Sequence, residues 1–272
     1  DEVFQILHLG EKLVGLIEAS NSSGRMSDRV GALCIRALME AGDETVIPLI
    51  KAILANGGRQ TAQAAIVAWD YFVNDEFGNS IVSQISEPFV VSWERRREVG
   101  GLCYARSCQK IELNYCTFED DLGVLPDATS CTEFIISEPQ ELYSLSGVSS
   151  LKNLKTLKIY NASTDQGFED LSHCSQLESV EFVNCSGLQN LKFCMKLKNL
   201  KELKATGCFN LESIDGIQHP TGLSEVSLMG AYGIRDWDCL NSVRHNMDLL
   251  CEDPSHVEDK LSEEARTYVF GM

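Results

Sequence analysis

The sequence predicts an α/β solenoid with parallel strands, preceded by an α-helical N-terminal domain. Two observations predict it. An apolar pattern of nine residues recurs every 23 residues in the C-terminal part of the chain, and helical periodicity dominates the N-terminal part. Six copies of the pattern follow one another without a slip, and they begin at Cys108, Cys131, Leu154, Leu177, Leu200 and Leu223. A degraded seventh copy begins at Asn246.

Each copy contains two short segments with one apolar edge each. Positions 1, 4, 6 and 9 are apolar and positions 3, 5 and 7 are mostly polar, which is typical of a half-buried strand. A second apolar triplet follows at positions 12, 15 and 18, and its spacing by threes predicts a 3₁₀ turn or a short irregular helix. Because neither segment can bury its apolar edge alone, the copies must stack on one another.

The pattern resembles the leucine-rich repeat, L-x-x-L-x-L-x-x-N/C, in a short, internalin-like version that covers residues 108–254. The resemblance implies a right-handed superhelix with parallel strands on its concave face. We use the term concave face for the side of the sheet that is exposed to solvent. The chain departs from the family at position 9, where the usual asparagine is replaced by Cys116, Pro139, Ala162, Cys185, Cys208 and Ala231. An asparagine ladder that bonds the turn backbone is therefore not expected, and those backbone groups need other partners.

The rest of the chain flanks the solenoid. Residues 1–80 are predicted to be helical, with helices over 3–19, from Ser27 or Asp28 as N-cap to 41, over 45–54 and over about 60–73. This succession of helices resembles a HEAT-type repeat. A second interpretation is a helical cap that shields the first strand of the solenoid. Residues 81–107 are interpreted as a transition with a degenerate opening repeat, 23 residues before the first copy. Residues 255–272 are predicted to form a C-terminal helix that covers the last strand.

Charge and cysteine placement limit the classes of partner. The net charge is −17, and residues 101–272 carry 26 acids and 14 bases, which gives −12. This balance weighs against nucleic acid and anionic lipid and is compatible with a basic protein partner. Several of the 11 cysteines occupy apolar positions of the repeat, which favours thiols in a reducing, cytoplasmic compartment. No apolar run approaches the length of about 20 residues that membrane insertion requires.

The sequence predicts no enzyme. It lacks the glycine-rich, nucleophile-elbow and H-E-x-x-H motifs, and it lacks paired C-x-x-C spacing for zinc, so that no cofactor and no metal are expected. His173 and Cys174 are adjacent, but they fall on the return segment, and neighbours in sequence need not face each other.

Positions 3, 5 and 7 are expected to line the concave face, with neighbouring strands about 4.8 Å apart. Position 7 contributes apolar and aromatic side chains, which are typical of the centre of an interface. Position 5 alternates in charge, and position 3 becomes acidic toward the C-terminal end. The predicted partner-binding residues are Tyr160, Val183, Thr206 and Met229, then Lys158, Glu181 and Lys204, and then Glu202, Glu225 and Asp248.

The sequence therefore predicts a non-enzymatic interaction module or scaffold that holds a protein partner on its concave face. Two alternatives remain open. The chain could be the sensing or substrate-recognition segment of a larger immune-receptor or ubiquitin-ligase type of assembly. It could also be a surface adhesin of the internalin-like kind, which oxidised cysteines or a glycan at Asn161 would favour.

Overall fold

The computed structural model describes residues 28–39, 44–72, 75–128 and 130–270, together with Lys12 and Gly15. Most of the predicted helix over residues 3–19 lies outside this described part. The chain divides into two compact units, each taken by itself below. The first comprises Asp1–Val91 with Gly100–Cys108, and the second comprises Ser92–Val99 with Gln109–Met272.

The N-terminal unit is helical, as predicted. Its described helices are α1 (Asp28–Met39), α2 (Ile47–Asn56), α3 (Arg59–Ala68) and α4 (Asp75–Ser80). Helix α1 packs against α3 and buries Ile35 and Leu38. Helix α2 begins later than the sequence suggested because residues 44–46 form a 3₁₀ turn, after which Pro48 takes a place in the first helical turn.

Asp28 caps a different helix from the one expected. Instead of serving α1, its carboxylate accepts hydrogen bonds from the backbone N–H groups of Gly58 (2.9 Å), Gln60 (2.8 Å) and Thr61 (2.8 Å) at the start of α3. The Thr61 hydroxyl donates a further bond of 2.7 Å. Burial tends to raise the pKa of Asp28, but the hydrogen bonds outweigh it and lower that pKa to about 2. This carboxylate thus fastens the first turn of α3 to α1.

Replacement of Asp28 by alanine is expected to destabilise α3 by about 1 kcal/mol, the usual cost of losing an N-terminal cap. The native pKa lies below the unfolded value of about 3.9, so the stabilisation is present above about pH 4 and is lost as the pH falls toward 2. Hydrogen exchange of the α3 amides at neutral pH measures the effect. The exposed acid Glu44 provides the control, and equal protection in Asp28→Ala and Glu44→Ala would contradict the assignment.

The second unit is built on parallel strands, of which the first two begin in residues counted with the first unit. They are β1 (Phe89–Glu94), β2 (Cys108–Asn114), β3 (Thr117–Asp120), β4 (Glu133–Ser137), β5 (Gln140–Leu142), β6 (Thr156–Tyr160), β7 (Ser179–Val183), β8 (Glu202–Thr206), β9 (Glu225–Ser227) and β10 (Asp248–Leu250). The main sheet has the order β1-β2-β4-β6-β7-β8-β9-β10, and β3 pairs with β5 in a small second sheet. From β2 onward, each paired residue of the main sheet faces the residue 23 positions further along the chain. The predicted solenoid is therefore confirmed, and the seventh copy supplies β10.

The return segments are largely the 3₁₀ helices that the spacing by threes predicted. These helices span Val148–Ser150, Phe168–His173, Lys192–Lys196 and Asp238–Ser242. After β8 the corresponding segment is a turn in which Ile217 N donates to Ile214 O. The apolar positions of strands and return segments meet inside the solenoid, where Leu157, Leu188 and Leu203 are fully buried. The core is thus a continuous stack of the positions that the repeat keeps apolar.

The opening repeat is three residues out of the predicted alignment. Arg95 and Tyr115 are equivalent residues, because both have left-handed backbone and both donate a backbone hydrogen bond to the next strand. Arg95 N donates to Asn114 O, and Tyr115 N donates to Ser137 O. Equivalent residues of this repeat and the next therefore lie 20 residues apart, and the predicted spacing of 23 is wrong here. The cause is a shorter return, because only 12 residues separate Arg95 from Cys108, whereas 15 separate Tyr115 from Cys131.

The C-terminal segment forms two helices where one was predicted. They are α5 (Pro254–Glu258) and α6 (Glu263–Phe270). The Asp253 carboxylate accepts a bond of 3.0 Å from His256 N and so caps α5. The backbone N–H of Met247 donates to Tyr268 O, which joins α6 to the start of β10. Helix α6 thus lies against the last strand of the sheet.

The turn after each strand relies on a left-handed residue at position 8. The φ angles there lie between 52° and 72°, at Tyr115, Glu138, Asn161, Asn184, Gly207 and Gly230. Asparagine and glycine tolerate this conformation, and they occupy four of the six places. The two asparagines also form a ladder, because Asn184 Nδ2 donates to Asn161 Oδ1 (2.9 Å) and Asn161 Nδ2 donates to Glu138 Oε1 (2.7 Å). An asparagine ladder therefore does exist, one position before the place the family pattern gives it.

Thiols take over part of the bonding at position 9. Cys185 Sγ lies 3.4 Å from Ile159 O in the preceding repeat, and Cys208 Sγ lies 3.9 Å from Phe182 O. Cys116 Sγ lies 3.7 Å from Trp93 O. Each thiol is a weak donor, and each is buried among apolar side chains. The cysteines thus serve as small core residues that also face strand carbonyls of the preceding repeat.

Burial is expected to protect most thiols from alkylation. Desolvation raises the pKa of Cys174 to about 11 and also raises the pKa of Cys194, which is fully buried. Cys103 is exposed. In the native protein at pH 8, iodoacetamide should modify Cys103 faster than Cys174 or Cys194 by at least about a hundredfold, because only the thiolate reacts. Mass spectrometry of timed digests measures the rates, and labelling after denaturation, where the rates should converge, is the control. Equal rates in the native protein would contradict this burial.

Candidate functional site

The concave face is built from alternate residues of the main strands. Because every strand buries positions 4 and 6 against the core, the side chains at positions 3, 5 and 7 emerge on the other face. The constant register then aligns like positions from strand to strand. Tyr160 pairs with Val183, and Val183 pairs with Thr206, so that these three predicted residues form one row across β6, β7 and β8.

The other predicted residues also form rows. Lys158, Glu181 and Lys204 are aligned at position 5, and Glu202, Glu225 and Asp248 are aligned at position 3. Met229 is the exception, since β9 ends at Ser227 and Met229 lies in the turn that follows. There it is half-buried, and its carbonyl accepts the bond from Gly207 N. The structure thus brings nine of the ten residues together on the strands, with Met229 at the rim.

The middle of the concave face is largely neutralised by its own charges. Lys158 Nζ lies 3.7 Å from Glu181 Oε2, and at the N-terminal end Lys110 Nζ lies 3.2 Å from Glu112 and 3.5 Å from Glu133. Burial, and then the charge and hydrogen bond of Glu181, raise the pKa of Tyr160. Exposed ion pairs of this kind contribute less than about 1 kcal/mol each. They organise the surface and leave little net charge for a partner.

The C-terminal end of the concave face differs from the middle. A shallow depression of about 290 Å³ lies across β8, β9 and β10, and its lining comprises Leu203, Lys204, Glu225, Val226, Ser227, Asp248 and Leu250. Leu250 is 57% exposed. Among the described residues, Glu225 and Asp248 form no ion pair. The depression therefore combines an apolar floor and edge with unneutralised carboxylates.

Sequence reasoning missed Leu250 and Ser227 as members of this site. Both occupy position 5 and emerge on the concave face, where Ser227 pairs with Lys204 and Leu250 pairs with Ser227. The available signal was an apolar residue at a position that is polar in most copies. Leu250 carried that signal, but it lies in the degraded seventh copy.

A second depression, of about 420 Å³, lies on the return side of the solenoid. It opens between the 3₁₀ helices Phe168–His173 and Lys192–Lys196, and Phe168, Met195 and both signs of charge line it. Its lining shares no residue with the concave face. Because acids, bases and apolar groups mix there without converging polar groups, its chemistry selects no ligand class.

The described residues offer little for catalysis. Cys174 is buried, its pKa is raised, and the adjacent His173 is exposed, so this pair does not form an activated nucleophile. Within the described ranges, no group of three or more histidines, cysteines or acids is placed to hold a metal ion. In the same ranges, no helix has both the length and the apolar character needed to cross a bilayer.

Comparisons with known proteins concern the fold alone. No protein-family model and no curated protein matches the chain. Among solved structures, it is similar to internalin InlF from Listeria monocytogenes, with 16% identity and a TM-score of 0.44 over 64% of this chain. It spans 51% of that internalin chain, about half its length. It is also similar to the leucine-rich repeat domain of the type III effector XCV3220 (XopL), with 14% identity and a TM-score of 0.48, covering 92% of this chain and 97% of that one.

The strand register identifies the fold of this chain independently of these likenesses. Parallel strands stacked at a period of 23, with short return helices and buried apolar rows at positions 4 and 6, define the architecture. The chain has the fold of a leucine-rich repeat solenoid with a period of 23 residues, preceded by an N-terminal helical region.

Proposed function

We propose that the chain is a non-enzymatic interaction module that holds a protein partner on its concave face, at the depression across β8, β9 and β10. The observation that carries this proposal is the exposed Leu250 beside Glu225 and Asp248. An apolar side chain with no core to fill, bordered by charged groups, has the composition of an interface centre with a polar rim. The row of Tyr160, Val183 and Thr206 would extend the contact toward the middle of the face.

A basic partner fits the electrostatics of this end. Residues 101–272 carry a net charge of −12, and the middle of the face pairs its own charges, so the unpaired carboxylates concentrate at the C-terminal strands. Complementary charge would accelerate association and fix orientation more than it would add affinity. The same acidity disfavours nucleic acid as the partner. We place the chain in a reducing, cytoplasmic compartment, an assignment supported by the cysteines that serve as core thiols.

Site-specific photo-crosslinking tests the proposal. A benzophenone amino acid replaces Ser227 in the depression, and in a matched control it replaces Glu212, an exposed residue on the return side. In lysate of the native host, the probe at position 227 should give a discrete adduct with a protein, and the probe at 212 should not. Leu250→Arg should abolish that adduct while circular dichroism remains unchanged. Equal adducts from the two positions, or an adduct indifferent to Leu250→Arg, would refute the concave site.

A further inference from the structure

The last complete repeats carry an exposed aromatic pair beside the concave face. Phe209 and Tyr232 both occupy position 10, one repeat apart. Their ring centroids are 6.1 Å apart and their planes differ by 9°, so the rings stack. Phe209 is 58% exposed and Tyr232 is 69% exposed. Two large side chains thus form a flat aromatic surface in solvent.

This aromatic pair is continuous with the proposed site. The Tyr232 hydroxyl lies 3.4 Å from Glu252 Oε1, and that oxygen also accepts a bond of 3.0 Å from Gly230 N. Glu252 is two residues beyond Leu250, and Leu250 is two residues beyond Asp248. All three are exposed, with the buried Leu249 and Cys251 between them. The alternate residues of the last strand and its extension therefore present an acid, an apolar group and a second acid, and the second acid is in contact with the aromatic pair.

We propose that this surface, which comprises Asp248, Leu250, Glu252, Tyr232 and Phe209, binds an extended basic segment of the partner protein. The segment carries a cation, an apolar residue and an arginine at alternate positions. The first cation faces Asp248 and Glu225, the apolar residue covers Leu250, and the guanidinium lies on the aromatic pair beside Glu252. This inference rests on the proposed function and specifies the chemistry of the partner.

Geometry favours an extended ligand. Side chains that share one face of an extended chain are about 6.6 Å apart, and this is also the spacing of Asp248 and Leu250 on β10, with Glu252 the next alternate residue just beyond the strand. A segment aligned with β10 can therefore match the three groups without changing direction. A helical ligand repeats its faces every three or four residues, over about 5 Å, and would leave one of the three groups unmatched.

Charge and ring chemistry favour arginine at the aromatic end. A guanidinium is planar, stacks on aromatic faces and donates to carboxylates at the same time, whereas an ammonium is a compact and strongly hydrated charge. Tyr232 offers the ring face, and Glu252 offers the acceptor at its edge. The nearest bases in these repeats are Lys204, which lines the depression, and Arg235, three residues beyond Tyr232. They are outnumbered by the four acids at positions 225, 248, 252 and 253.

The probe for this proposal is a fluorescein-labelled peptide, Ser-Arg-Ser-Leu-Ser-Arg-Ser, titrated with the full chain and followed by fluorescence anisotropy. Combined replacement Phe209→Ala/Tyr232→Ala should weaken binding about tenfold, whereas Tyr143→Ala, which removes another exposed aromatic ring, should leave it unchanged. Citrulline in place of the second arginine should cost the wild type at least a similar factor, and it should cost the double variant clearly less, because only the bond to Glu252 is then lost. Affinity should fall at about 0.3 M salt.

The outcomes separate this inference from the proposed function. Binding that the double variant retains in full, or no binding to the wild type, overturns the basic-segment inference. If the photo-crosslink at position 227 persists in either case, the concave site stands and its partner has a different chemistry. If the citrulline peptide loses equal affinity on both proteins, the arginine lies elsewhere and the aromatic assignment is wrong.

Discussion

Replacement of Phe182 by alanine is expected to reduce the free energy of unfolding by about 4 kcal/mol. Phe182 is fully buried on β7, in the middle of the sheet. Its ring makes edge-to-face contacts with Phe168 (centroids 5.7 Å apart) and Phe193 (6.1 Å), which belong to the return helices of two successive repeats. Truncation would remove both aromatic contacts and leave a cavity that neighbouring repeats cannot fill, because the strands on each side fix their spacing.

Guanidinium unfolding followed by circular dichroism measures this effect. Phe209→Ala is the matched control, since it makes the same chemical change at a ring that is 58% exposed, and it should cost less than about 1 kcal/mol. Because a solenoid can unfold in parts, both the slope and the midpoint of the unfolding transition should be compared between each variant and the wild type. A change in slope would indicate that a different part of the chain unfolds. If the two variants lose similar stability, the assignment of Phe182 to the core is wrong.

Replacement of Gly187 by alanine is expected to destabilise the solenoid by about 3 kcal/mol. A Cβ atom there would lie 1.8 Å from Thr164 O and 2.7 Å from the Asp165 Cα, both in the backbone of the preceding repeat. That backbone cannot easily yield, because Thr164 is itself buried and its hydroxyl donates to Leu142 O at 2.9 Å. Relief of the collision would have to separate two stacked repeats.

Gly222→Ala is the control for this prediction. A Cβ atom at Gly222 would meet only Leu200 O, at 3.7 Å, which is an ordinary contact. We expect that variant to change the free energy of unfolding by less than about 0.5 kcal/mol, as surface substitutions usually do. Thermal melts of both variants provide the comparison. A Gly187→Ala protein as stable as Gly222→Ala would show that the repeats are packed less closely at this point.

The sequence by itself determined the architecture of the solenoid. Repeats of equal length that stack in parallel must place each residue against the one a full period later, so the pairing of Lys110 with Glu133, and of Glu225 with Asp248, follows from counting. The same counting predicted the rows of the concave face and the buried row at position 9. It failed at the opening repeat, where the return from Arg95 is shorter and the period no longer holds.

Only the tertiary structure decided which side chains bond to which. Asp28 caps a helix some 30 residues away because the packing of α1 against α3 brings that helix start to its carboxylate, and no local pattern encodes this. The left-handed turns at position 8 and the asparagine ladder depend on the neighbouring repeat for their partners. The contact between Tyr232 and Glu252, which joins the aromatic pair to the concave face, likewise needs the two repeats side by side. Periodicity fixes where a residue lies in the stack, whereas hydrogen-bond partners and exposed surfaces depend on distances that only the folded chain defines.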